Sequence, residues 1–169
     1  NSYPQFCKKT VFDIEKLPSS STYNRFFYKF DIETNSIVFP QLQQWFMDQF
    51  KVGKLTIDLD STVITRYGDQ EGSAVGYNPK KKGRKSHHPL MAFIDQTKMV
   101  ANAWLRAGNT ADTNNYEAFL EETFDTVLKN KDIGLVRADS GFYSDKFLSW
   151  FERREINYII AVKFYENFK

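Results

Sequence analysis

Residues 54–60 set the first constraint on this chain. Leu55, Ile57 and Leu59 alternate with Thr56, Asp58 and Asp60. Successive side chains of an extended strand point to opposite faces, so the segment predicts a half-buried strand with carboxylates on its polar face. A sheet has to be built around it. Residues 62–67 read as a further strand, and the Gly- and Lys-rich stretch 68–85 reads as a loop. Residues 90–95 and 99–106 are two more strand-like runs, separated by the turn-forming Gln96, Thr97 and Lys98. A short apolar run, 133–138, ends at Asp139, and residues 158–162 read as a last, buried strand.

The helical signals lie before and between these strands. Pro18 and the run Ser19, Ser20, Ser21, Thr22 mark a start, followed at helical spacing by Tyr23, Phe26, Phe27 and Phe30. A second helix is expected over 40–50, with Leu42, Trp45, Phe46 and Phe50 on one face. Asn114 and Glu117 have capping-box spacing ahead of the stripe Tyr116, Phe119, Leu120, Val127 and Leu128. Ser144 caps a short helix that turns Phe147, Leu148 and Phe151 inward. Early strands joined by tight turns imply an antiparallel meander, and later strands separated by helices imply parallel crossovers. The expected architecture is α/β, a mixed sheet flanked by helices in the layout of an RNase H-like fold. A helical N-terminal lead-in over 1–50 precedes this domain over 51–169.

The chain's 169 residues, 41% hydrophobic and 26% charged, suffice for one ordered globular domain with a real core. The formal charge of +2 gives no bulk argument for a polyanionic partner, so any such argument must rest on local clustering. Cys7 is the only cysteine, which fits a reducing compartment and excludes a disulfide scaffold or a cysteine-based zinc site. No apolar run is long enough for a membrane span, and the N-terminus does not read as a signal peptide. The chain opens at Asn1 rather than Met, so it is expected to be cut from a longer protein.

Three segments could carry chemistry. Asp58 and Asp60 share a strand face, and Asp60 stands at the strand's end. These are either solvated acids or part of a hard-cation site, because Mg²⁺ is usually held by one or two carboxylates together with waters and phosphate oxygens. Asp139 follows an apolar strand and precedes Gly141 and a helix, at the carboxyl end where ligands of open α/β sheets bind. The plain alternative is a turn cap. The two acids can converge on one metal if their strands are adjacent. The third segment holds Lys80, Lys81, Lys82, Arg84 and Lys85, followed by His87 and His88. It is either a solvated loop or a contact for a phosphate backbone. No partner set completes a zinc site around the histidines. A Gly-x-Ser-x-Gly elbow and Walker or dinucleotide glycine motifs are absent, so phosphate chemistry here would have to be metal-based.

Taken together, Ile57 to Thr62, Gly76 to Pro79, Lys82 to Leu90 and Val136 to Phe142 resemble cut-and-paste insertion-sequence transposases of bacteria. These form the DDE group of the RNase H-like (retroviral-integrase) superfamily. The resemblance implies that Asp60, in a D-[ST]-T element, is the first catalytic acid. It implies that Asp139, in an R-x-D-S-G-F element, is the second, with Asp58 the runner-up for the first position. The third acid of the family, a Glu on a downstream helix, is expected beyond Lys169, since Glu166 lies too close to the last strand. The implied cofactors are two Mg²⁺ (or Mn²⁺) ions. The implied partner is double-stranded DNA, both terminal repeats and target, held at the backbone by Lys80, Lys81, Lys82, Arg84, Lys85 and His87. A homodimer on DNA and a cytoplasmic, nucleoid-associated location are further expectations. Arg137 is expected either to hold a carboxylate in place or to touch phosphate. With two of three acids, the isolated chain is expected not to cut DNA. The competing readings are a non-catalytic DNA-binding remnant, a related nuclease and a purely structural domain.

Overall fold

The computed structural model describes residues 18–49, 51–110 and 115–162, without the side chain of Ile32. The expectations resting on Phe50, Asn114 and Glu166 lie outside the described residues. The chain divides into two units, Asn1–Trp45 and Phe46–Lys169.

In the first unit, helix α1 (Ser20–Phe27) starts where the serine run predicts. Ser19 is extended, and its side chain accepts the Thr22 N–H at 3.3 Å, satisfying one of the donors a helix start leaves open. Helix α2 (Ile32–Gln49), whose last four residues belong to the second unit, begins a full eight residues before the expected start at Pro40, which lies inside it. The overlooked signal is Asp31, whose carboxylate accepts the Thr34 N–H at 2.7 Å. The helical spacing of Tyr23, Phe26 and Phe27 does not mark a buried face here, because no residue of α1 is buried. Phe30 instead packs between Phe26, at 5.1 Å, and Phe39, at 5.8 Å.

The second unit contains two sheets. The larger has the strand order β6-β5-β1-β7-β8, built from β1 (Leu55–Ser61), β5 (Leu90–Ile94), β6 (Met99–Trp104), β7 (Ile133–Ala138) and β8 (Tyr158–Ile160). β1, β5 and β6 pair antiparallel, while β7 runs parallel to β1 and β8 parallel to β7. This is the mixed sheet the element order predicts. Its period-two pattern holds in three dimensions: Ile57 lies between Ile94 and Val136, and all three are buried. The apolar face joins one core with Phe119, Leu120 and Phe124, and with Phe147, Trp150 and Phe151 of helix α4 (Asp145–Arg153). Phe151 meets Phe147 and Trp150 edge-on, each at 5.0 Å, the arrangement that aromatic quadrupoles favour. Ser144 caps α4 as expected, its hydroxyl accepting the Phe147 N–H at 3.3 Å.

Helix α3 (Tyr116–Glu121) passes into a π-helical turn, Glu122–Val127. The buried Thr123 hydroxyl donates to the Phe119 carbonyl at 2.6 Å and accepts from Asn102 Nδ2 at 3.1 Å, a back-bond of the kind that distorts helices. β8 corrects one expectation: among the described residues it is an edge strand, three residues long, with Ile159 61% exposed. Only its partly buried Tyr158 and Ile160 pack against the core, so an apolar sequence here marks one covered face and not full burial.

The smaller sheet contains the strand expected over 62–67 and places two more short strands in and just after the stretch 68–85 expected as a loop. β2 (Ile64–Thr65), β3 (Ala74–Val75) and β4 (Lys85–His87) pair antiparallel in the order β2-β4-β3, between β1 and β5 in sequence. Thr62 N–H donates to the Pro89 carbonyl at 3.3 Å, and Ser61 registers with Leu90. The small sheet therefore leaves and rejoins the large one at the carboxyl end of β1.

Candidate functional site

β1 and β7 lie side by side and parallel, with Asp58 opposite Arg137 and Leu59 opposite Ala138. The next positions in that register are Asp60 and Asp139, which brings the two sequence-predicted acids to neighbouring strand ends. Both are exposed, and both line one open cleft of about 620 Å³ on the polar face of the sheet. The cleft is also lined by Asp58, Asp95, Lys98 and Arg137.

Local sequence explains how Asp139 is presented. Its carboxylate accepts the Gly141 N–H at 2.9 Å, and its carbonyl accepts the Phe142 N–H at 3.2 Å. Phe142 is buried against Phe147, at 5.5 Å, so the turn is anchored from inside while the carboxylate stays at the surface. Asp60 is held by the β1 ladder, opposite Met91 of β5. Among the described residues neither acid is in an ion pair.

Asp58, two residues earlier on the same face, is bound differently. Arg137 Nε donates to its Oδ1 at 2.6 Å and Nη2 to its Oδ2 at 2.7 Å, a bidentate fork. Nη2 also reaches Asp95 Oδ1 at 3.0 Å. Asp95 accepts from Lys98 Nζ at 2.6 Å as well. The hydrogen bond to Asp58 pushes the Arg137 pKa up, and the bond from Lys98 holds the Asp95 carboxyl below its usual value. Of the two roles expected for Arg137, the geometry is that of holding a carboxylate. Asp95 and Lys98 do not stand out in the sequence, where they flank a turn. A signal for Asp95 is nonetheless present, since Met91, Phe93 and Asp95 share the strand face opposite to Leu90, Ala92 and Ile94.

The donor set suits a hard divalent cation. Asp60 and Asp139 offer carboxylate oxygens at adjacent positions, without a protein cation on either. Among the described residues no group of three or more His, Cys, Asp or Glu forms a complete metal cage. Two carboxylates, with waters and phosphate oxygens filling the remaining positions, are what Mg²⁺ commonly takes.

Lys80, Lys81, Lys82, Arg84 and Lys85 are all exposed, on the β3–β4 connection and at the start of β4. Buried Asn78 shapes this tip: it donates to Thr65 Oγ1 at 2.9 Å and accepts the Lys81 N–H at 2.9 Å. Gly83, with φ at +75°, makes a turn that other residues enter with strain. Lys85 pairs with Asp69 at 2.5 Å, and Arg84 lies 5.9 Å from the centre of the Tyr67 ring. His87 is not on this surface. It is 4% exposed, its Nδ1 accepts from Arg66 Nε at 2.8 Å, and its Nε2 lies 2.9 Å from the Glu71 carbonyl oxygen. With both ring nitrogens engaged, it braces the small sheet and has no free edge for a phosphate. His88 is also buried, with a separate partner, the Thr110 carbonyl at 3.0 Å.

The mixed five-stranded sheet with its flanking helices is RNase H-like, of the kind found in transposase catalytic domains. The chain belongs to the family described as Transposase DDE domain group 1, whose sequence profile matches residues 5–168. Members of the DDE group generally use divalent metal ions. A cryo-EM structure of the piggyBac transposase synaptic complex with hairpin DNA is similar in fold, with a TM-score of 0.51 and 14% identity, over 89% of this chain and 32% of that one. A Mos1 transposase paired-end complex with the left transposon end and the Mos1 strand transfer complex give TM-scores of 0.44 and 0.45 at 11% identity, each over 73% of this chain and 39% of theirs. The chain thus spans well under half the length of these transposases. No curated protein matches it in sequence.

Proposed function

We propose that this chain is the front part of a DNA transposase's catalytic domain, in which Asp60 and Asp139 hold the divalent ions that cut and join DNA. The observation that carries this reading is the β1–β7 register, which sets two exposed acids without cation partners next to each other in one cleft. The ions are Mg²⁺ or Mn²⁺. Two such ions, when bound, activate an attacking water or 3′-hydroxyl and stabilise the leaving oxygen. The carboxylates supply the negative charge that lets dications gather beside a phosphate. The five exposed cations of the β3–β4 tip grip the DNA backbone, positioning it without reading bases. Their sheet springs from the end of β1 that carries Asp60, which joins the DNA grip to the acids by a short, paired connection. The catalytic part comprises residues 51–169, preceded by a helical lead-in, and works as a homodimer on transposon ends in the cytoplasm.

In the transposase as its gene encodes it, Asp60→Ala and Asp139→Ala each abolish cleavage of transposon-end DNA. Cleavage surviving in either variant removes that residue from the site. Replacing Lys80, Lys81 and Lys82 with Ala weakens binding to all duplex sequences alike. It also makes the dependence of log K on log salt shallower, by about 0.9 for each phosphate the protein no longer neutralises. An unchanged slope takes the DNA grip elsewhere. The competing reading is a DNA-binding remnant without chemistry. Duplex binding that is indifferent to metal, with no cleavage by the encoded protein, selects the remnant.

A further inference from the structure

The cleft contains four carboxylates, Asp58, Asp60, Asp95 and Asp139, and two cations, Arg137 and Lys98. The cations are not shared evenly. Both fall on Asp58 and Asp95, through two hydrogen bonds and an ion pair from Arg137 and a hydrogen bond from Lys98. Asp60 and Asp139 carry neither cation. Asp58 stands two residues before Asp60 on the same strand face, so without its partner it would offer a hard cation oxygen donors of the same chemistry as Asp60.

We infer that Arg137 is a specificity-determining residue: by occupying both oxygens of Asp58, and one of Asp95, it keeps divalent metal off the middle of the sheet and confines it to Asp60 and Asp139. The inference rests on the metal site proposed above. It differs from a purely structural role for Arg137, which would hold the strands together without deciding where a cation sits. It also explains why the arginine lies opposite Asp58 in register, one pair of side chains below the acids. A fixed guanidinium fork fills both oxygens of a carboxylate at once, which a point-charge lysine does not.

The test is a titration of the 169-residue chain with Mn²⁺ alone, read from paramagnetic broadening of backbone amide signals. In the wild type, broadening centres on the amides of Ser61 and Gly141, and Asp60→Asn or Asp139→Asn weakens it by at least about tenfold, the scale on which metal-site substitutions act. Arg137→Met spreads the broadening toward Asp58 and Asp95. In the double variant Arg137→Met, Asp60→Asn, binding persists and centres there. A folded double variant that no longer binds Mn²⁺ overturns the inference and leaves the metal site standing. Wild-type broadening that ignores both Asp60→Asn and Asp139→Asn overturns the metal site itself, and the inference with it. Should Arg137→Met fail to fold, Asp58→Asn decides: binding retained at Ser61 and Gly141 supports the assignment, and a drop as large as that of Asp60→Asn makes Asp58 a metal ligand and refutes it.

Discussion

The two sheets of the second unit are held together by different physics. In the large sheet the central positions are Ile57, Ala92 and Val136, all fully buried, and the helices that cover it add Phe119, Phe147 and Phe151. In and around the small sheet the buried side chains include Asn78 and His87, held by hydrogen bonds, and Ser86, beside a close approach of backbones. Gly76 and Gly108 meet so tightly that a Cβ on Gly76 would fall on the Gly108 carbonyl. Apolar burial is non-directional and tolerates small shifts. Hydrogen bonds and glycine contacts do not, and strands of two or three residues have little else. The large sheet is therefore the stable frame that sets Asp60 beside Asp139, and the small sheet is a shaped attachment that presents cations.

The largest effect should come from the frame. Phe151→Ala removes a fully buried ring with three edge-on partners, Phe124, Phe147 and Trp150, and is expected to lower stability by about 3–5 kcal/mol, measured by denaturant unfolding. A change below about 1 kcal/mol would mean that the core does not depend on α4. Next comes Gly76→Ala, in which a backbone carbonyl stands where the new methyl must go. Its expected cost is about 1–3 kcal/mol, as for overpacking elsewhere. Because the small sheet has its own set of forces, this cost should stay local. Amide hydrogen exchange should speed up at Arg66, whose N–H bonds to the Lys85 carbonyl at 2.8 Å, while the Leu55 and Val136 amides stay protected. Equally faster exchange in both sheets would show that they unfold as one cooperative body, with no separate frame and attachment.

The same contrast decides what can be read from the sequence. The large sheet is legible because its strands are long enough to show a period: Leu55, Ile57 and Leu59 announce β1, and the Ser144 cap announces α4. That Asp60 and Asp139 could be neighbours follows from strand order alone. The small sheet is legible only in part: Ile64–Thr65 falls inside the strand expected over 62–67, but Ala74–Val75 is too short for any period, and Gly68, Gly72 and Gly83 read as breaks. His87 misleads for a related reason. It sits in a run of cations, and nothing in its local sequence reveals that Arg66, 21 residues away, will turn its ring inward. The partner of Asp58 is likewise hidden, since the link to Arg137 spans 79 residues and exists only once β1 and β7 are paired.

The smallest effect is expected from a polar contact on the apolar side of the comparison. Arg154 follows α4 and forks onto Asp125 of the π-helical turn, with Nη1 to Oδ1 at 2.6 Å and Nη2 to Oδ2 at 2.8 Å, while its guanidinium lies 4.3 Å from the centre of the Trp150 ring. The Arg154 hydrogen bond holds the Asp125 pKa below its ordinary value of 3.8, against the opposing pull of burial. A carboxyl whose pKa falls on folding contributes stability that is complete above its unfolded value and disappears as pH drops through its folded one. The contribution should therefore be present at neutral pH and vanish only below about pH 4, where Asp125 takes up a proton even in the folded chain. Both side chains are at least a third exposed, so solvent screens the pair and Asp125→Asn should cost only about 0.2–1 kcal/mol at neutral pH. Denaturant unfolding of wild type and variant from pH 7 to pH 2 should show two curves converging on the acid side, with a smaller gap at high salt. A gap that stays constant down to pH 2 would assign the effect to packing against Trp150. A gap larger than that of Gly76→Ala would mean that polar contacts hold the large sheet as firmly as they hold the small one.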